Sequence, residues 1–277
     1  MNKGNIDGIT LEYEIHGSGE PLVLVHGSHI ADAFAPLLEQ PALAERFRLI
    51  LYHRRGFAGS THSDGSLSIE QQAADCHALM RHLEVPCAHV VGHSYGGAIA
   101  LQLASTAPDA VQSLALLEPA LFMVPSGPVF MEAMAPLIQM HASGDRVAAV
   151  DGFLEAVVGP DYRIALDAVL PNAFDQAVAD ADTFFRVELP ALQHWNFTAE
   201  DAATIAQPVL FVRGADSPSL WPGWLEVEQL VQAWLPQTEA FVLDNAAHGL
   251  QIIDPATVAR RLAEFLAQHP VRNEGRT

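Results

Sequence analysis

An apolar run, Ala88 to Gly92, gives way to a run of small and apolar residues, Tyr95 to Ala107, across Gly92-His93-Ser94-Tyr95-Gly96-Gly97. The first run suits a strand buried on both faces. The second suits a helix, ended by Pro108. A buried strand that turns at once into a helix belongs in a parallel sheet covered by helices, so this segment constrains the fold more than any other. It also fits the pattern G-x-S-x-G, whose serine must stand on a sharp, strained strand-to-helix turn. Small residues two before and two after the serine let neighbouring backbone approach. The helix N-terminus then offers free N–H groups to negative charge developing near the serine.

The rest of the chain keeps the same rhythm. Thr10 to His16 alternates apolar and polar residues, as a strand with one wet face does. Gly17-Ser18-Gly19 is a turn, and Pro21 to Val25 is a second buried strand. A helical stretch is expected from about Asp32 to Arg46, a strand over Arg48 to Tyr52, and a loop from His53 to Ser66. Ser68 to Leu83 reads as a helix, with Ser68 as N-cap and Gln71 completing a capping box. Val111 to Leu117 is the next strand. From about Phe122 to Ala206 the patterns are helical. Strands then return at Pro208 to Val212 and Thr238 to Leu243, with helices over Glu226 to Trp234 and Pro255 to Ala267. The expected fold is α/β, a doubly wound and mostly parallel sheet. Residues 1–120 and 207–277 form its core, and residues 121–206 an inserted helical cap or lid, because a loop that long without structure is improbable.

Half of the 277 residues are hydrophobic and 17% are charged, which is globular composition. The formal net charge of -19 argues against nucleic acid and anionic membrane surfaces as partners. Lys3 is the only lysine, and its place near the terminus argues against Schiff-base and Ser-Lys mechanisms. Cys76 and Cys87 form no CxxC pair and read as reduced residues. The N-terminal residues hold no apolar signal-peptide core, and no run of 18 apolar residues occurs. A cytoplasmic location is the expectation. No metal site is expected, since no HExxH or similar spacing occurs, and no cofactor is called for. The oligomeric state stays open, a homodimer included.

Two further segments carry chemistry. His26-Gly27-Ser28-His29 follows the buried strand, and the backbone N–H of Ser28 is a candidate oxyanion-hole donor, with that of Tyr95 as the other. His248, in Asn245-Ala246-Ala247-His248-Gly249, follows the last strand and can reach Ser94 across the sheet. An imidazole takes and returns a proton near neutral pH, as a base for serine must. His16, His62, His77, His82, His89, His141, His194 and His269 read as surface or packing residues.

With PLVLVHGS, HRRGFAGS, VVGHSYGG and DNAAHG in hand, the chain resembles the α/β-hydrolase family with a helical cap, over nearly its whole length. The resemblance implies a Ser-His-acid triad in the order nucleophile, acid, histidine, with the site between core and cap. Two positions offer the acid. Many members carry it in a G-x-x-D pattern after the cap, and here Gly214-Ala215-Asp216-Ser217 has its aspartate one residue early. Others carry it at the end of the strand before the cap, where this chain has Leu116-Leu117-Glu118-Pro119. Glu118 is favoured, since a carboxylate ending an apolar strand needs a partner and His248 would be one; Asp216 is the alternative. The family's D-x-R-G-x-G-x-S loop has His53 in place of aspartate and is read as structural.

Ser94 argues against dehalogenase and epoxide-hydrolase chemistry, which needs a carboxylate nucleophile. It implies a serine hydrolase acting on a carboxylic ester or lactone through an acyl-enzyme. The alternatives are a carbon–carbon bond hydrolase and a cofactor-free dioxygenase on the same fold. Phe122, Met123, Phe130, Met131, Met134, Leu137, Ile138 and Met140, then Phe184, Phe185, Trp195 and Phe197, suggest an apolar pocket for a small to medium hydrophobic substrate. His29, Phe122, Met134 and Trp195 are the expected substrate-binding residues.

Overall fold

In a computed structural model that describes residues 1–63 and 65–271, eight strands form one sheet in the order β1-β2-β4-β3-β5-β6-β7-β8. They are β1 (Asn2–Ile6), β2 (Ile9–His16), β3 (Glu20–Val25), β4 (Phe47–His53), β5 (Ala88–His93), β6 (Val111–Leu117), β7 (Val209–Gly214) and β8 (Thr238–Leu243). The pairs from β4 to β8 are parallel, and β2 is antiparallel to both β1 and β4. This is the α/β-hydrolase fold.

Side-chain alternation divides the core into two layers. Val23 and Val25 of β3 pack on one face with Ile50, Val90 and Leu116, while Leu22 and Leu24 pack on the other with Leu49, Leu51 and Leu117. The first face is covered by α3 (Ile69–His82) and α4 (Tyr95–Thr106). The second is covered by short α1 (Ala35–Leu38) and α2 (Pro41–Ala44) and by the last helix of the chain, Pro255–Ala267. Burial on both faces is why these strands read as continuous apolar runs. The capping box forms as expected: Ser68 Oγ accepts from the Gln71 N–H, and Gln71 Oε1 accepts from the Ser68 N–H.

Between β6 and β7 the chain is helical. It runs through α5 (Gly127–Ala133), α6 (Ala135–Ala142), α7 (Arg146–Val158), α8 (Tyr162–Val169) and α9 (Ala173–Ala179). A π-helical stretch, Thr183–Glu188, leads into α10 (Leu189–His194) and α11 (Ala199–Ala202). Past β7 come α12 (Ser217–Leu220), α13 (Gly223–Trp234), α14 (Leu250–Ile253) and α15, the Pro255–Ala267 helix.

Two elements depart from expectation. The helix expected over Asp32 to Arg46 is two short helices, because Pro41 lacks an N–H and holds Gln40 in an extended conformation (ψ 117°). Strand β1 was not foreseen. Its signal is Asp7-Gly8, both at positive φ (49° and 92°), a two-residue turn that pairs β1 with β2.

Candidate active site

Ser94 stands at φ 53° and ψ -121°, a conformation few non-glycine residues adopt, and it is fixed from three sides. Its N–H donates to the Leu117 carbonyl, and its own carbonyl accepts from Gly97 and Ala120. The flanking glycines are required by approach. A Cβ on Gly92 would lie 2.4 Å from the Gly96 carbonyl oxygen, and one on Gly96 would lie 2.1 Å from the Val25 oxygen. The turn thus presses against the end of β3, and Gly27 presses back, since a Cβ there would lie 3.0 Å from the Ser94 Cβ. Tyr95 opens α4, so its N–H has no intrahelical acceptor.

Glu118 follows the last residue of β6 at φ 43° and is fully buried. One carboxylate oxygen, Oε2, lies 2.8 Å from His248 Nδ1; the other accepts the Gly214 N–H at 2.8 Å. Asp216, by contrast, is exposed and lines a surface hollow with Tyr162, Ser219 and Asn245. Of the two candidate acids, only Glu118 meets His248. A carboxylate at Nδ1 keeps that nitrogen protonated and leaves Nε2 free to accept.

Further groups hold the imidazole, and sequence reasoning missed them. Trp224 stacks on the His248 ring at 4.3 Å between centroids. His93 Nε2 donates to the His248 carbonyl at 2.7 Å, so His93 Nε2 carries its proton. Burial, then the neighbouring His248, holds the His93 pKa well below its ordinary value. His93 fills a variable position of G-x-S-x-G, so the motif could not have singled it out, and no signal marked Trp224.

Ser94, His248 and Ser28 line one small cavity of about 40 Å³, closed by Ile30, Phe153, Val157 and Ile252 among others. The four expected substrate-binding residues are not in its wall. Phe122 and Trp195 line a separate cavity of about 260 Å³ with Met131 and Leu192. Met134 is buried in the core. His29 is buried against Phe153, Phe184 and Phe185, where burial lowers its pKa to about 3. Hydrophobicity marked Phe122, Met134 and Trp195, but it marks packing and pocket alike; His29 was marked by its place beside the Ser28 N–H. The apolar wall of the Ser94 cavity comes instead from α7 (Phe153, Leu154, Val157 and Val158), α14 (Ile252) and the loop after β3 (Ile30 and Ala33). Among the described residues, no cluster of His, Cys, Asp and Glu is arranged to hold a metal, and no helix is long and apolar enough to cross a membrane.

Known proteins share this arrangement of elements. The chain is 37% identical, over an alignment of 282 positions that covers 96% of this chain and 69% of the other, to the dihydrolipoyllysine-residue acetyltransferase component of an acetoin cleaving system from Pseudomonas putida. It is 40% identical over 107 residues to a putative carbamate hydrolase of Azorhizobium caulinodans, a match spanning 38% of this chain and 40% of that one. In structure it is similar to the enol-lactonase of Burkholderia xenovorans LB400, with a TM-score of 0.80, 22% identity, and coverage of 96% of this chain and 100% of that one. The profile of the alpha/beta hydrolase fold matches residues 20–255, and the chain belongs to that family.

Proposed function

We propose that this chain is a serine hydrolase that cleaves a carboxylic ester or lactone of a small to medium hydrophobic substrate through an acyl-enzyme. The observation that carries this reading is that His248, held from behind by Glu118, lines one cavity with a serine at positive φ. Ser94 Oγ attacks the acyl carbon while His248 Nε2 takes its proton. The carbonyl π electrons move onto oxygen, and the N–H groups of Ser28 and Tyr95 stabilise that charge. Collapse breaks the bond to the leaving oxygen, which takes the proton from His248. Water, deprotonated by the same nitrogen, then attacks the acyl carbon; the bond to Ser94 Oγ breaks, Oγ takes the proton back from His248, and the acid leaves. Glu118 holds the ring through Nδ1 and stabilises the imidazolium. The apolar cavity wall supports a hydrophobic substrate.

The test is labelling of Ser94 by a fluorophosphonate, located by peptide mass spectrometry and followed by a panel of esters and lactones. Rapid labelling, lost in His248→Ala, with turnover of apolar esters or lactones is the expected result. A folded protein that leaves Ser94 unlabelled, or a Ser94→Ala variant that keeps most of its activity, overturns the reading. The acetyltransferase relative invites one more comparison. An acyl-enzyme can pass its acyl group to a thiol or alcohol as well as to water, so the product split with an added dithiol tells hydrolysis from transfer.

A further inference from the structure

Arg54 is a charged side chain that the reaction above does not use, yet it is only 1% exposed. Such burial is costly unless every N–H finds a partner. Its partners are specific. Nε donates to the His26 carbonyl and Nη2 to the Gly27 carbonyl, both at 2.9 Å. Nη1 donates to Gln72 Oε1 at 2.5 Å and lies 2.6 Å from Glu188 Oε1. The guanidinium also sits over the Tyr95 ring, 4.9 Å from its centroid, and Gln72 Nε2 donates to the Tyr95 hydroxyl at 3.0 Å.

These contacts converge on the two residues whose N–H groups would face the developing charge. The Gly27–Ser28 peptide is trans, so its N–H points opposite to its C=O. Fixing the Gly27 carbonyl on Arg54 therefore fixes the direction of the Ser28 N–H. His26 adds a second restraint. Its Nδ1 donates to the Gly27 carbonyl at 2.7 Å, and its Nε2 accepts the Arg54 N–H at 3.0 Å. Through the ring of Tyr95, Arg54 also bears on the start of α4.

The counterion comes from the helical segment between β6 and β7. Glu188 is fully buried at the end of the π-helical stretch. Burial pushes its carboxyl up, against Arg54 and the Ser28 side chain. Neighbouring residues grip the same loop: Thr183 Oγ1 donates to the Gly56 carbonyl at 2.5 Å, and Asp180 Oδ2 accepts the Ala58 N–H at 2.9 Å.

We infer that Arg54 is a positioning residue of the oxyanion hole, and that Glu188 ties the seating of the helical segment to the orientation of the Ser28 N–H. This rests on the serine-hydrolase reading. A lysine at position 54 keeps the charge but loses the fork that reaches two carbonyls at once, and a glutamine at 188 keeps the shape but loses the charge.

The experiment measures kcat, KM and the rate of fluorophosphonate inactivation for wild type, Arg54→Lys, Glu188→Gln and, as a control on the same loop, Arg55→Lys. A donor set askew loses part of what a missing one loses, and a missing one loses about 100- to 1,000-fold. The expected result is a fall in kcat of about 10- to 100-fold in both site variants, with KM within a factor of three. Inactivation should slow in the same proportion, and Arg55→Lys should react as wild type does. A purely structural role would lower the melting temperature and leave kcat unchanged well below it. If either site variant folds and keeps wild-type kcat and inactivation rate, the inference falls. If wild type itself is not labelled, the serine reading falls first and this inference with it.

Discussion

Glu118 Oε2 lies 2.8 Å from His248 Nδ1 although 130 residues separate the two in sequence, and the Gly214 N–H occupies the other carboxylate oxygen. Each oxygen thus has one donor, and the buried charge is matched by an imidazole and a backbone dipole. Asp216 occupies no comparable place, being exposed beyond the end of β7.

This pair makes the first prediction. In Glu118→Gln the side chain keeps its length but can no longer hold the proton on Nδ1, so kcat should fall about 10³- to 10⁴-fold with the fold intact. Asp216→Asn should stay within about twofold of wild type, as an exposed change remote from the pair does. Steady-state kinetics on both variants decides the matter, and the reverse ranking would move the acid to Asp216.

The second prediction concerns the turn. In Gly96→Ala the new Cβ would meet the carbonyl oxygens of Val25 and His26 at 2.1 and 2.5 Å, both backbone atoms of the neighbouring strand and loop. Neither can yield without moving the end of β3, so a loss of about 3 kcal/mol or more in stability is expected. Denaturant unfolding measures it directly. A stable, fully active Gly96→Ala would show that the turn has slack that the contacts deny.

Much of this was legible because the features are local. Apolar runs marked the buried strands, Ser68 and Gln71 announced a helix start, and the glycines around Ser94 marked the sharp turn. Contacts between distant segments were not legible. Whether Glu118 or Asp216 meets His248 depends on where β6 and β7 end relative to the loop after β8. Pattern could not tell the phenylalanines and methionines of the helical segment apart as packing or lining. Met134 is buried in the core, while Val157 and Val158, unremarkable in sequence, line the Ser94 cavity. Arg54 looked like any loop arginine, because only the fold shows which carbonyls converge on it.

The third prediction uses that lining. Val158 borders the Ser94 cavity, an adjoining cavity walled by Tyr162 and Leu166, and the outer hollow beside Asp216. Val158→Ala should open this line of cavities. It should raise kcat/KM for hexanoate or octanoate esters relative to acetate by a few fold, at about 0.8 kcal/mol per methylene buried. Val158→Trp should do the reverse. An unchanged preference in both variants would place the apolar arm of the substrate elsewhere.

The fourth prediction is a dependence of stability on pH. His53 bridges two carboxylates, with Nδ1 3.0 Å from Glu12 Oε2 and Nε2 2.9 Å from Asp32 Oδ1. Burial alone would lower the His53 pKa, but the two carboxylates outweigh it and raise the value above the ordinary 6.5. A folded-state pKa above the unfolded one stabilises the protein fully below the unfolded pKa, and that stabilisation is lost as pH rises through the folded pKa. His53→Gln should therefore cost about 1 kcal/mol at pH 6, a drop of roughly 2–4 °C in melting temperature, and less at pH 9. Thermal melts of both proteins across that range give the difference. A gap that widens with rising pH would mean that the imidazole is neutral when folded and that its two carboxylates do not hold the proton.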